Sequence, residues 1–251
     1  MFAKQMRRAL RSLGIGAYRL SRNYAEDGLV SVHNGGFRED PRFRDAYARG
    51  VQASGGVDPH FEWRIHVALW VAEMGLRLPG DFAECGVNAG FCSSAVMRYL
   101  DWNGVGRSFW LFDTFAGPVL EQFTAEEARV GRADIAKAAI EAGAYVTDLE
   151  RVRANFAEWP SAVVVSGVVP DVLPKAVVEK LAFLHIDMNC AVPEVAALEY
   201  FWERLSVGAG VLLDDYAYVG HECQRRAMDE AARRFGRSVL ALPTGQGLLV
   251  R

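Results

Sequence analysis

The sequence predicts an α/β protein with a doubly wound, mostly parallel sheet. Short apolar runs alternate with helical patterns from residue 81 to residue 235, and this alternation is typical of repeated βαβ units with right-handed crossovers. The runs are continuously apolar, as expected for strands that a parallel sheet buries on both faces. The chain ends in RSVLALPTGQGLLVR, which predicts an antiparallel hairpin around a Pro-Thr-Gly turn.

The predicted elements follow one another in chain order. A helix is expected over residues 61–76, because Phe61, Ile65 and Leu69 recur at helical spacing. After it come the strand DFAECGV, the helix FCSSAVMRYLDW, the strand SFWLFD, a helix over 121–143, the strand SAVVVSG, a short helix over 171–180, the strand LAFLHID, a helix over 193–205, the strand GAGVLLDD and a helix over 221–235.

The first 60 residues differ from the rest of the chain. Residues 1–22 are basic, without an acid, and carry a short apolar stripe at helical spacing. That pattern favours a helix packed on its own domain or on a partner subunit over one that lies on a membrane surface. Residues 23–60 are rich in turn-forming residues, with one short helix around 41–49. We therefore predict a helical cap, lid or oligomer contact over 1–60 and one main domain over 61–251.

Composition excludes several classes of function. The formal net charge is −3 at pH 7, which disfavours a broadly basic surface for nucleic acid. No apolar run reaches the roughly 20 residues of a membrane-spanning helix. The four cysteines form no CxxC pair, which disfavours a zinc ribbon and is in keeping with a reducing compartment. We expect a cytoplasmic protein.

Ligands of doubly wound sheets bind beyond the carboxyl ends of the strands. The first such end reads ECGVNAG, a G-x-x-x-G spacing that matches neither the dinucleotide fingerprint nor the P-loop. Asp113, at the end of the second strand, can accept hydrogen bonds from a ribose diol or can cap its own turn. Glu84 can accept from a ligand ammonium group, and Ser93 can donate to a ligand carboxylate.

An adenosine that carries an amino-acid tail would use all of these groups, and S-adenosylmethionine (SAM) is such a molecule. A parallel sheet that ends in an antiparallel pair resembles the Rossmann-like SAM methyltransferases. The candidate cofactor-binding residues are Glu84, Gly86, Asn88, Gly90, Ser93, Asp113, Thr114, Ser166 and Gly167.

Acidic side chains end two further strands, Asp187 one of them and Asp214 with Asp215 the other. Carboxylates gathered at one edge repel one another, and each has a raised pKa unless a cation is present. Hard oxygen donors suit Mg²⁺ or another divalent cation. Turn capping and pairing with arginines remain the alternative for each acid. We predict a metal site at Asp187, Asp214 and Asp215.

Four segments together resemble the macrocin O-methyltransferase family: DFAECGVNAGFCSSAV, FWLFDTFAG, FLHIDMN and LSVGAGVLLDDY. The resemblance covers roughly residues 60–251. It implies a class I SAM methyltransferase fold and a SAM- and Mg²⁺-dependent O-methyltransferase of natural-product sugar tailoring. Its acceptor would be a hydroxyl of a sugar or small natural product. The family's metal positions match Asp187, Asp214 and Asp215, and its SAM positions match Glu84, Gly86, Gly90 and Asp113.

One position departs from the family pattern, because Asn189 stands where the family has an acid proposed as general base. An amide cannot take a proton at neutral pH. His221 is the candidate replacement base, beside Asp187 and Asn189 as the other candidate catalytic residues, whereas His185 is expected to be a buried, hydrogen-bonded histidine. Tyr216 is the best candidate to line an acceptor pocket.

The loss of that acid leaves two functions open. The first is metal-assisted O-methyl transfer. The second is a SAM-binding protein that transfers no methyl group to oxygen and serves a binding or assembly role. The chain is also expected to form a homo-oligomer through its N-terminal 60 residues.

Overall fold

A seven-stranded sheet forms the centre of the computed structural model, which describes residues 24–251. Strands and helices are numbered in chain order. The strands are β1 Tyr24–Glu26, β2 Leu29–Ser31, β3 Asp81–Cys85, β4 Phe109–Asp113, β5 Ala162–Ser166, β6 Leu181–Ile186, β7 Leu205–Leu213, β8 Leu240–Ala241 and β9 Gly247–Val250. The helices are α1 Pro41–Ala53, α2 Glu62–Gly75, α3 Phe91–Tyr99, α4 Ala125–Arg129, α5 Arg132–Glu141, α6 Leu149–Asn155, α7 Ala191–Trp202 and α8 Glu222–Arg234.

The strand order of the main sheet is β5-β4-β3-β6-β7-β9-β8. The first five of these strands pair in parallel, and β9 pairs antiparallel with both β7 and β8. The predicted doubly wound sheet and its C-terminal antiparallel pair are therefore confirmed. The chain winds outward from β3 to β5 and then returns to the other side of β3, so the switch in strand order lies between β3 and β6.

Side chains alternate between two apolar cores, one on each face of the sheet. Phe82 and Leu111 point into the core that α1, α2 and α3 cover. Ala83 and Phe112, their neighbours along the strands, point into the core that α7 and α8 cover. This alternation follows from the two-residue period of a strand, and it explains why the central strands are continuously apolar.

A small hairpin, β1–β2, precedes the first helix. Its turn residues Asp27 and Gly28 both have positive φ, at 49° and 72°, as a two-residue hairpin turn requires. The Asp-Gly pair is a sequence signal for this hairpin, although no hairpin was among the elements predicted for residues 23–60. The side chain of Asp40 accepts from the backbone N–H groups of Arg42 and Phe43. Asp40 is therefore the N-cap residue that fixes the start of α1.

The helix predicted over 121–143 is two helices, α4 and α5. Gly131, with φ of 83°, separates them. The helix predicted over 171–180 is wrong, because only Leu173–Lys175 forms a single 3₁₀ turn. Pro174 has no backbone N–H, so it cannot donate the hydrogen bond that a longer helix would need.

The predicted basic helix of residues 1–22 lies outside the described residues. Within residues 24–251 no helix is long and apolar enough to cross a membrane.

The close contact of α2 with the sheet depends on Gly75. A Cβ at this position would lie 2.8 Å from the carbonyl oxygen of Ala182 and 3.1 Å from Cζ of Phe82. Since the first of these atoms belongs to the backbone of β6, relief requires moving the helix. We expect Gly75→Ala to lower the free energy of unfolding by about 1–3 kcal/mol, measured by urea denaturation.

Gly104→Ala is the matched control for this substitution, because the nearest atom to its added Cβ is 3.8 Å away. It should change the free energy of unfolding by less than about 0.5 kcal/mol. Equal effects of the two substitutions would contradict the packing argument.

Candidate functional site

Two neighbouring cavities open at the switch in strand order. The first lies beyond the ends of β3, β4 and β6 and includes Asp113, Gly167 and Asn189. The second lies between α2, the loop after β3 and the end of β7 and includes Phe61 and Asp214. Four residues line both cavities at their junction: Gly86, Asn88, Val146 and Asp187.

Gly86 sets the distance between the ends of β3 and β6. Its φ is 91°, and a Cβ there would lie 1.7 Å from the backbone oxygen of Asp187. No side chain fits at this distance, so glycine is required for the two strand ends to meet. The same contact brings Asp187 to the wall of both cavities.

Asp113 organises the loop that follows β3. Its Oδ2 accepts from the backbone N–H groups of Val87 and Asn88 at 2.7 and 2.8 Å, and its Oδ1 accepts from that of Phe115 at 2.6 Å. The turn-capping role considered for Asp113 is therefore present. Asp113 also lines the first cavity, where the sequence placed it for a ribose.

A long segment after β4 covers the first cavity. Asn88, with φ of 49°, holds this segment, because its Oδ1 accepts from the backbone N–H of Val146 at 2.8 Å. Thr114 closes the turn at its start by donating to the carbonyl oxygen of Gly117 at 2.7 Å. Tyr145 lines the same cavity, and desolvation together with Asp187 raises its pKa.

Glu84 and His185 form a buried pair at the end of the two central strands. His185 Nδ1 lies 2.8 Å from Glu84 Oε1, and both side chains are almost fully buried. Glu84 Oε2 and His185 Nε2 have no hydrogen-bond partner, and both residues line the second cavity. Cys92 lies beside them, and burial raises its pKa to about 11, so it stays a thiol.

The three predicted metal ligands do come together. Asp187, Asp214 and Asp215 offer oxygen atoms that lie within 4.8 Å of one another. Desolvation and the two neighbouring carboxylates raise the pKa of Asp187 well above its usual range. Asp215 Oδ2 is buried without a hydrogen-bond partner. The residues therefore fit a divalent cation, which prefers carboxylate oxygen and would relieve this repulsion.

Asp214 differs from its two neighbours because cationic and amide groups already surround it. Arg64 Nη1 donates to its Oδ2 at 2.6 Å, and Gln246 Nε2 donates to its Oδ1 at 3.0 Å. Although burial opposes ionisation, Arg64 and His185 hold the pKa of Asp214 well below its usual range. Asp214 is therefore ionised at neutral pH.

Arg64 and Gln246 belong to the site but were not among the residues predicted from the sequence. A lone arginine within the apolar helix FEWRIHVALW was the available signal for the first, since buried cations need partners. Gln246 comes from the turn of the C-terminal hairpin, and no pattern in PTGQG indicates which cavity it reaches.

Three predicted cofactor residues lie away from both cavities among the described residues. Ser93 is fully buried in α3, and its hydroxyl has no hydrogen-bond partner among the described residues. Gly90 caps α3 and packs against Phe156, 2.5 Å from where a Cβ would lie. Ser166 is exposed at the end of β5. Cofactor binding by these three residues stays a prediction.

His221, the predicted base, also lines neither cavity. Its Nδ1 lies 2.8 Å from Gln224 Oε1 and 3.7 Å from Asp215 Oδ2, so it contacts the acidic cluster on the side away from the cavities.

Tyr216 is buried, and its hydroxyl donates to Asp229. Both residues line a separate outer groove. The expected acceptor-pocket role of Tyr216 is therefore not supported by its position.

Asn189 follows β6 in a left-handed conformation, with φ of 63°, and lines the first cavity. The turn that contains it is held by Glu194 from the start of α7, because Glu194 Oε1 accepts from the backbone N–H of Met188 at 3.0 Å. Burial, with the charge of Asp215, raises the pKa of Glu194 to about 8.

Comparison with known proteins places these features in a family. A family model described as macrocin-O-methyltransferase (TylF) matches residues 71–235. A methyltransferase of Streptomyces olivaceus, "8-demethyl-8-(2,3-dimethoxy-alpha-L-rhamnosyl)-tetracenomycin-C 4'-O-methyltransferase", is 31% identical over 164 residues. The aligned stretch covers 63% of this chain and 60% of that relative, so less than two thirds of the relative is matched.

Two solved structures share the fold. The O-methyltransferase NovP superposes with a TM-score of 0.63 at 24% identity, covering 86% of this chain and 93% of that chain. The calicheamicin methyltransferase CalS11 superposes with a TM-score of 0.57 at 17% identity, covering 92% of this chain and 98% of that chain. These likenesses confirm the predicted Rossmann-like methyltransferase fold.

The raised pKa of Glu194 predicts a pH-dependent stability. An unfolded glutamate loses its proton near pH 4.5, whereas folded Glu194 keeps it to about pH 8. Between these values folding binds a proton, so this group lowers stability as pH rises. We expect Glu194→Gln, compared with wild type by urea denaturation, to gain relative stability from about pH 5 to about pH 8. A difference that stays constant across this range would contradict the assignment.

Proposed function

This chain belongs to the macrocin-O-methyltransferase (TylF) family, and we propose that it transfers a methyl group from SAM to a hydroxyl of a sugar or small natural product. The observation that carries the proposal is the junction of the two cavities at Gly86, Asn88, Val146 and Asp187. A donor in the first cavity and an acceptor in the second would meet there. In-line approach of the two reacting atoms is the main requirement of methyl transfer.

The first cavity and the Glu84 carboxylate suit the parts of SAM. Backbone N–H groups bond both carboxylate oxygens of Asp113 and fix their direction at the wall of this cavity, where Asp113 would accept from a ribose hydroxyl. Glu84 Oε2 is a buried acceptor without a partner and suits the ammonium group of the amino-acid tail. The covering segment that Asn88 holds would exclude water from the sulfonium.

The acceptor would occupy the second cavity. Phe61 and Phe91 form part of an apolar wall, and Asp187 and Asp214 form its acidic end. Aromatic and aliphatic side chains pack against sugar rings and apolar aglycones, and carboxylates accept hydrogen bonds from sugar hydroxyls. The curated relative is named for a rhamnosyl tetracenomycin, and a comparable glycosylated acceptor is the class we propose for this chain.

Asp187, Asp214 and Asp215 would hold a divalent cation, preferably Mg²⁺. When bound, such a cation lowers the pKa of a hydroxyl and fixes its direction. Since Asn189 cannot take a proton and His221 lies behind the cluster, we assign the hydroxyl proton to the carboxylate of Asp187. It is the acid of the cluster that lines both cavities.

We propose that residues 1–60 form a cap, lid or oligomer segment and that residues 61–251 form the methyltransferase domain. Asp27 in the β1–β2 turn supports the cap role, because it bonds Arg64, a residue of the second cavity wall. A homo-oligomer and a cytoplasmic location complete the proposal.

Ligand titration separates the cofactor and metal parts of this function. We expect calorimetry to show SAM binding by the wild-type protein and Mg²⁺ binding in its presence. Asp215→Asn should weaken Mg²⁺ binding at least about tenfold, since it removes a charged ligand, and should leave SAM affinity within about twofold. Equal losses of both ligands would point to unfolding and contradict the metal assignment.

Transfer itself is tested with glycosylated polyketides of the kind named above, by mass spectrometry of the acceptor after incubation with SAM and Mg²⁺. We expect the wild-type protein to add one methyl group. Activity that arises only in Asn189→Asp would instead support the alternative function, a SAM-binding protein without O-methyl transfer.

A further inference from the structure

Arg64 joins three distant parts of the chain at the second cavity. Its Nη1 donates to Asp214 Oδ2 at 2.6 Å. Its Nη2 and Nε donate to the two carboxylate oxygens of Asp27, at 2.7 and 3.1 Å. Nη2 also donates to the hydroxyl of Tyr218, which in turn donates to Asp27 Oδ1 at 2.7 Å. One guanidinium thus connects the β1–β2 turn, α2 and the residues that follow β7.

These groups are shielded from water. The exposed fractions of the Arg64, Asp27 and Asp214 side chains are 11%, 10% and 5%. Ion pairs at this depth are screened little by salt, and loss of one partner leaves a buried charge uncompensated. The guanidinium is planar and bridges two carboxylates at once, which a lysine ammonium cannot do with the same geometry.

The charges at the acidic end of the cavity also fit this arrangement. Asp187, Asp214 and Asp215 carry up to three negative charges, and Arg64 shares its one positive charge between Asp214 and Asp27. A divalent cation would offset the negative charge that remains. Arg64 therefore both fixes the direction of the Asp214 carboxylate and sets the charge that a bound cation meets.

We propose that Arg64 is a positioning residue, which holds Asp214 in the orientation used for the divalent cation and ties the β1–β2 hairpin to that site. The inference rests on the proposed metal-assisted function and extends it, because it makes the hairpin part of the metal site. Asp27 then acts on the cation through Arg64, without being a ligand. Docking of the hairpin and binding of the cation support each other, as linkage requires.

The test uses Mn²⁺ as the probe, with its affinity read from the free-ion signal in electron paramagnetic resonance. A second readout is amide hydrogen exchange in residues 24–31. Arg64→Lys keeps the charge and loses the bridge. We expect it to weaken Mn²⁺ binding about tenfold, the usual effect of removing a group that orients a ligand, and to speed exchange in the hairpin.

Asp27→Asn is the second variant, and it changes the hairpin without touching Asp214. A purely structural role for Arg64 would let this variant speed exchange in the hairpin and leave Mn²⁺ affinity unchanged. We expect it to lower Mn²⁺ affinity several-fold as well, because Arg64 loses one of its two carboxylate partners.

Arg49→Lys is the matched control. The Arg49 side chain is 10% exposed and its Nε bonds Glu158 at 2.7 Å, yet it lines neither cavity. Both readouts should match wild type.

Wild-type Mn²⁺ affinity in Arg64→Lys and Asp27→Asn would overturn the positioning role, and unchanged exchange in both would overturn the hairpin link. If the wild-type protein bound no Mn²⁺, the metal part of the proposed function and the orienting role of Arg64 would both fail. In that case the contact between Arg64 and the hairpin would be judged only from amide hydrogen exchange in residues 24–31 of the variants.

Discussion

The site depends on the close approach of two strand ends. At Gly86 the backbone of the loop after β3 meets the backbone oxygen of Asp187 at the end of β6, with no room for a Cβ. Parallel neighbours at the switch in strand order always end at the same edge. Here the two strand ends are so close together that Asp187 lines both cavities. Asp187 therefore lies between the two cavities to which we assign the methyl donor and the acceptor.

A second consequence of this edge is a concentration of buried charge. Glu84, His185 and Asp214 follow one another at 2.8 and 3.5 Å, and Arg64 continues the series. Acid and base alternate along it, so each charge has a partner of opposite sign. Asp187 and Asp215 lie outside the series, and the imidazole of His221 is 3.7 Å from Asp215 Oδ2. Desolvation raises the pKa values of Asp187 and Asp215, whereas Arg64 lowers that of Asp214.

Much of this could be predicted from the sequence, because strand ends carry the signal. Gly86, Asp113 and the acidic cluster all follow apolar runs, and a parallel sheet gathers such positions at one edge. Ser93 and His221 line neither cavity, because the start of a helix holds both inward and outward positions, and sequence spacing does not tell them apart. Arg64 and Asp27 were missed because their relevance arises from contacts across 150 and 37 positions of chain, which no local pattern encodes.

The most direct measurement is a crystal structure of the protein with S-adenosylhomocysteine and Mn²⁺, the ion located by its anomalous scattering. We expect the adenosine in the first cavity, with its ribose at Asp113, and one manganese peak bonded to oxygen atoms of Asp187, Asp214 and Asp215. A nucleoside bound elsewhere, or manganese absent from these three carboxylates at saturating concentration, would contradict the shared-wall arrangement of donor and acceptor.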